Sequence, residues 1–151
     1  MTRSLFANPR RYLALFLPWL PAERLVRERR PPADQPFALI EKQRGALRLA
    51  ALNPQAVRLG LEVGQALADA RGCVPELAAF PHDPQGDLAF LDRLSRRCDD
   101  YTPSVQLDPP QGMVLDVTGC AHLHGGEEAL RDSLTAQIAA KGLTVRAALA
   151  D

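Results

Sequence analysis

The stretch Ser104-Val-Gln-Leu-Asp-Pro-Pro-Gln-Gly-Met-Val-Leu-Asp-Val117 decides the fold. Ser104 to Leu107 and Met113 to Val117 are β-like, and Asp108-Pro109-Pro110-Gln111-Gly112 between them has the composition of a tight connection between antiparallel strands. Upstream, Leu88, Leu91, Leu94 and Cys98 recur at three- and four-residue spacing while Asp87, Asp92, Arg93 and Arg96 take the other faces, which predicts an amphipathic helix from residue 84. Downstream, Glu127 and Glu128 favour a helix N-terminus, and Leu130, Leu134 and Ile138 supply its apolar stripe. Lys141-Gly142 ends that helix before a last strand, Leu143 to Leu149.

Working back toward the N-terminus, Tyr12 to Leu17 is a short apolar run closed by Pro18, the pattern of a strand buried on both faces. Arg10 and Arg11 before it imitate a secretory signal. Pro18 and Pro21 interrupt the run, however, Glu23 and Arg24 follow at once, and no small-residue cleavage site is present, so the strand reading stands. Pro21 to Arg30 reads as a charged helix stopped by Pro31-Pro32. Phe37 to Glu41 and Ala46 to Leu52 read as a hairpin around Gly45. Asn53-Pro54 opens a short helix that Gly60 closes, and Gln65 to Arg71 forms another that Gly72 closes. With residues 20–80 set aside, the order is strand, helix, strand, strand, helix, strand. That is an α/β (α+β) fold of ferredoxin-like βαββαβ topology, built from residues 12–19 and 81–151 and preceded by a tail, residues 1–11. The topology alone names no activity.

Composition narrows the class. In 151 residues, 46% hydrophobic side chains are ample for a packed core, and no apolar run approaches the roughly 18 to 20 residues of a membrane span. Cys73, Cys98 and Cys120 are widely spaced with no C-x-x-C pair, which indicates neither a disulfide framework nor a zinc ribbon; a reducing, cytoplasmic setting is expected. The formal net charge of zero conceals a division. Residues 1–60 carry eleven bases against four acids, and residues 61–151 seven against fourteen. Sixteen of the eighteen bases are Arg, whose planar fork grips phosphate bidentately. Arg24, Arg27, Arg29 and Arg30, with Arg44, Arg48 and Arg58, are therefore the candidate contacts to DNA or a partner, the alternative being a solvated face.

Three further constellations have a chemical and a plain reading. Cys120, His122 and His124 alternate, so an extended segment would present all three on one side as a zinc corner, but a fourth ligand is not evident and packing at a strand end is the favoured reading. Asp108 and Asp116 on neighbouring strands are the best candidates for a carboxylate pair that shares a metal, the default being a turn-starting and a structural role. Trp19 is either a core aromatic or an apolar plug. Asp99-Asp100, near a helix end, is expected to be solvated.

Residues 53–75, Tyr101-Thr-Pro-Ser-Val-Gln-Leu-Asp-Pro-Pro110 and Leu115-Asp-Val-Thr-Gly-Cys-Ala-His-Leu-His-Gly-Gly-Glu127 together resemble the Y-family translesion DNA polymerases of UmuC and DinB type. Within them, the chain is similar to the polymerase-like subunit of a bacterial damage-induced mutagenesis cassette. The resemblance implies that the sheet is a palm and residues 20–80 a fingers-like insertion. It also implies that the chain is catalytically degenerate. Two-metal polymerisation needs carboxylates, yet the family's first acid motif falls on Phe16 and Pro18 and its second pair on Gln111 and Gly112. The triphosphate-handling Tyr-x-x-Arg falls on Pro54 to Val57. The role this implies is that of a non-catalytic subunit for DNA damage tolerance with no cofactor, near the nucleoid. Its implied partners are an error-prone replicative-type DNA polymerase, a RecA-like accessory protein and the sliding clamp. The rest of the palm, the thumb, the little finger and the clamp-binding segment are expected to lie beyond Asp151. Two alternatives stand beside it: an active nucleotidyltransferase that uses Asp108 and Asp116 with Mg²⁺ and a deoxynucleoside triphosphate, and a ferredoxin-like interaction domain unrelated to DNA.

Overall fold

The computed structural model describes residues 9–28 and 31–151. The chain divides into two compact units: residues 1–18 with 88–151, and residues 19–87. None of its described helices is long and apolar enough to cross a membrane.

The first unit is built on β1 (Tyr12–Phe16), β5 (Val105–Asp108), β6 (Gly112–Asp116) and β7 (Arg146–Ala150), with most of α4 (Pro84–Arg97) and all of α5 (Glu127–Ala139). Its sheet has the order β5-β6-β1-β7, and every pairing is antiparallel. This is the order a βαββαβ chain must take when both crossovers are right-handed, so the ferredoxin-like expectation holds. Leu13, Leu15 and Leu17 are buried at 0–2% exposure, together with Met113, Leu115 and Val117 of the neighbouring strand and its extension. The helices bring Leu91, Leu94 and Cys98, and Leu130, Leu134 and Ile138, into the core. Cys98 Sγ lies 3.8 Å from Met113 Sδ, which pins the end of α4 against β6. Contrary to the sequence reading, β1 is not buried on both faces. Ala14 and Phe16 point to the uncovered side, and Phe16 is 45% exposed, because the helices pack on one face and leave the other open.

The second unit holds α1 (Leu20–Arg27), β2 (Phe37–Gln43), β3 (Ala46–Leu52), α2 (Pro54–Arg58), α3 (Leu67–Cys73) and β4 (Ala78–Pro81). Arg44 and Gly45, both at positive φ, turn the β2–β3 hairpin, where Gly45 meets no steric penalty for that conformation. Strand β4 runs parallel to β2, giving a sheet of order β3-β2-β4. The sequence did not announce β4: four residues that include two alanines and a proline are too short to display alternation. Ala38, Leu49, Leu52, Ala56, Leu61, Ala70 and Leu77 form this unit's core, and the Phe37 and Phe80 rings meet edge-on at 6.0 Å.

Two helical expectations need correction. Helix α3 runs through Gly72 to Cys73, with Gly72 in ordinary right-handed backbone, so that glycine is no terminator. In α4 the stripe begins at Leu91: Leu88 is 44% exposed, whereas Asp87, assigned to the solvent side, is 4% exposed. A buried carboxylate needs a charge partner, and Arg24 supplies it.

Asn53 ties this unit together. Buried at 2%, its Oδ1 accepts hydrogen bonds from Phe37 N at 3.1 Å and Ala56 N at 3.0 Å, and its Nδ2 donates to Gln35 O at 2.6 Å. One side chain thus caps α2 and holds the start of β2. Asn53→Ala strands a buried N–H and is expected to cost about 2 kcal/mol in urea unfolding, with Asn53→Asp, which keeps the acceptor, costing less.

Candidate functional site

The β1–β6 pairing brings Phe16, Pro18, Gln111 and Gly112, four of the positions singled out in the sequence, together at one end of the first unit's sheet. Phe16 lies opposite Gly112 on one side and Arg146 on the other. Past the strand, Leu17 N donates to Gln111 O at 2.8 Å, and Gln111 Nε2 donates to Pro18 O at 3.1 Å. The Gln111 side chain is thereby committed to the backbone; a carboxylate there would face the same carbonyl with no proton to offer. Gly112 is closed off as well. A Cβ at that position would come 3.1 Å from Asp108 O and 3.2 Å from Leu15 O, so any larger residue requires backbone to move. Pro109 and Pro110, joined by a cis peptide bond, complete the wall of a shallow cleft of about 370 Å³ on the open face of the sheet. Among the described residues there is no group of three or more His, Cys, Asp or Glu side chains able to hold a metal ion.

Asp108 and Asp116 lie apart along the hairpin. Asp108 pairs with Gly112, while Asp116 lies four residues further along β6, opposite Tyr12, a separation of roughly 13 Å along the strand. Asp116 is also occupied. Its carboxylate accepts from Thr118 N and from Arg10 Nη1, each at 3.0 Å. These bonds to Thr118, then the Arg10 charge, hold its pKa below the ordinary carboxylate range. Next to it, Arg11 grips Glu127 with two bonds of 2.9 Å, pairs with Asp151, and holds the Glu127 pKa down chiefly by hydrogen bonding. Neither Arg10 nor Arg11 stood out in the sequence as a strand-end clamp, since only pairing across the sheet reveals it.

The alternating Cys120, His122 and His124 fall in a 3₁₀ turn, Ala121–His124, capped by Cys120, and not on an extended segment. At three residues per turn, positions two apart diverge, so no zinc corner forms. His124 instead stacks on Tyr101, with ring centroids 4.9 Å apart. Cys98 is buried, and burial, then the charge of Asp99, pushes its thiol up to about 11. Asp99 and Asp100 are exposed, as expected.

In the second unit, Pro54 takes the first position of α2 behind the Asn53 cap, and Val57 is 45% exposed. Trp19 is half-buried and precedes α1 without a side-chain capping bond. The arginines have separate fates. Arg24 donates to Asp87 at 2.7 Å and Glu28 at 2.9 Å, and contacts Asp83 at 3.4 Å, with its side chain 12% exposed. Gly86 leaves room for this: a Cβ there would meet Asp83 Oδ2 at 2.3 Å and Arg24 Nη2 at 2.8 Å. Arg24 is therefore not an available cation. Arg48 is half-buried and donates to Gly64 O, whereas Arg27, Arg44 and Arg58 are exposed, on α1, in the β2–β3 turn and on α2. Arg29 and Arg30 lie outside the described residues. Grouped by compact unit, the charge division disappears: residues 19–87 carry nine bases and nine acids, and so does the remainder.

Solved structures share this fold, an open-faced βαββαβ sheet whose first strand is followed by a separate small α/β unit: the insertion ternary complex of Dbh DNA polymerase, with a TM-score of 0.80 at 16% identity, and DinB from Sulfolobus solfataricus, with 0.76 at 17%. Each match covers 93% of this chain and 42% of the other. Residues 22–151 match the impB/mucB/samB family, and the chain belongs to it. Protein ImuB of Caulobacter vibrioides, strains NA1000 / CB15N and ATCC 19089 / CIP 103742 / CB 15, is 43% identical over 93 residues, which are 62% of this chain. The matched stretch spans 20% of that protein's length.

Two outcomes are expected of these ion pairs. Because the Asp116 and Glu127 pKa values are depressed in the folded state, their contribution to stability is complete above the ordinary carboxylate range and lost as pH falls through the folded values. The melting temperature should fall below about pH 4.5, and Arg10→Gln with Arg11→Gln should flatten that fall without changing its direction. Arg24→Ala leaves the buried Asp87 with only His82 Nε2, at 3.7 Å, beside it, so urea unfolding should register a loss of about 3 kcal/mol while affinity for a primer–template duplex stays within twofold.

Proposed function

We propose that the chain is part of a non-catalytic, Y-family-like subunit of DNA damage tolerance, acting through protein contacts and weak DNA contacts. The observation that carries this reading is the strand end where Phe16, Pro18, Gln111 and Gly112 converge. The Gln111 amide is bonded to Pro18 O there, and side-chain space at Gly112 is crowded by two carbonyl oxygens. Two-metal phosphoryl transfer needs carboxylates that hold cations roughly 4 Å apart, and none of the four can supply one. Membership of the impB/mucB/samB family and likeness to ImuB support the damage-tolerance setting. In that setting the whole protein would serve as a hub for an error-prone replicative-type polymerase, a RecA-like protein and the sliding clamp, in the cytoplasm near the nucleoid. DNA contact falls to Arg27, Arg44 and Arg58, which are exposed, more than to Arg24. The active-transferase reading is disfavoured by the separation of Asp108 from Asp116 along the hairpin.

Calorimetric titration of a deoxynucleoside triphosphate with Mn²⁺ tests this. No saturable heat is expected, from either the parent chain or the chain carrying Asp108→Ala and Asp116→Ala. Saturable heat in the parent that the double variant loses would overturn the reading and make those acids a site.

A further inference from the structure

The cleft on the open sheet face does not look emptied so much as re-lined. Its floor is made of small and apolar side chains, Ala14, Val114 and Ala148, and Phe16 lies along it at 45% exposure. On β7 stands Arg146, exposed and paired with no acid among the described residues; across the sheet, on β5, stands Asp108, also exposed. One large aromatic side chain left half in water on a floor of small apolar ones, beside an unpaired cation, is the composition of a contact surface, an anchor pocket with a charged rim.

We propose that this cleft docks a short peptide segment of a partner protein in which an aromatic or aliphatic anchor sits beside one acidic residue: the anchor packs on Phe16 and the alanine floor, and the acid pairs with Arg146. Charge decides for peptide over nucleic acid. A duplex presents a run of phosphates and calls for several cations, whereas the lining offers one Arg opposite one Asp, in a unit with equal numbers of bases and acids. A single acid flanked by apolar bulk matches one arginine, and Asp108 on the far rim repels a second negative charge. The open volume of about 370 Å³ admits one or two side chains. The proposal rests on the reading that this strand end holds no metal, because a bound cation would repel Arg146 and claim the acid for itself.

Methyl-resolved NMR on the full 151-residue chain tests it with three probes: N-acetyl-Asp-Leu-Phe amide, N-acetyl-Asn-Leu-Phe amide and N-acetyl-Lys-Leu-Phe amide. The aspartyl peptide should shift the Ala14, Ala148 and Val114 methyls, with the asparaginyl peptide about fivefold weaker, as loss of one partly exposed ion pair implies. Arg146→Glu should invert the preference so that the lysyl peptide binds best, which a merely unfolded variant cannot do. Equal shifts from all three peptides, no shifts from any, or shifts produced only by a primer–template duplex would each overturn the proposal. Mn²⁺ separates the two readings: selective broadening of the same methyls would overturn the metal-free strand end as well, whereas silence with both Mn²⁺ and peptides removes the docking proposal alone.

Discussion

Strand β1 hydrogen-bonds along both edges, to β6 on one side and β7 on the other, so its register fixes both neighbours at once. Leu13, Leu15 and Leu17 set that register, because a slip of one residue would turn all three leucines to the open face and Ala14 and Phe16 inward. The chain leaves this strand at Pro18, and the same unit resumes only at Leu88. Closing so long an excursion costs entropy that grows slowly with length, so the intervening residues can fold around a core of their own provided β1 is held. Arg10 and Arg11 hold its start, and Gln111 holds its end.

Much of this was legible. Periodicity located α4 and α5, the Pro-Pro connection located β5 and β6, and Asn53-Pro54 marked a capped helix. Most signals carried by a residue's own neighbours in sequence survive folding, although Gly72 did not end α3. Part of what failed depended on partners far along the chain. Asp87 reads as a solvent residue on any helical wheel until Arg24 arrives from a different helix. The Cys120 to His124 alternation reads as extended until Gly125, at positive φ, and Gly126 close a tight turn there. Strand β4 exists only because β2 offers it a parallel edge.

The charge pattern shows the same limit. Dividing the chain by number suggested a basic half and an acidic half, but its compact units are defined by topology, and each is balanced. Much of the balance is local: Arg24 among Glu28, Asp83 and Asp87, Arg11 with Glu127, Arg96 with Asp92. Charges paired in this way serve geometry more than long-range attraction, and the few cations left exposed become the informative ones.

The packing around Gly112 bears on which substitutions this strand end tolerates. A carboxylate at position 111 would lack the proton that Pro18 O accepts from Gln111, and a side chain at 112 would crowd two backbone oxygens until they yield by a few tenths of an ångström. Each change is resisted by its own neighbours. Substitution at this strand end is thereby steered toward its exposed side chains and away from the two positions that the backbone holds.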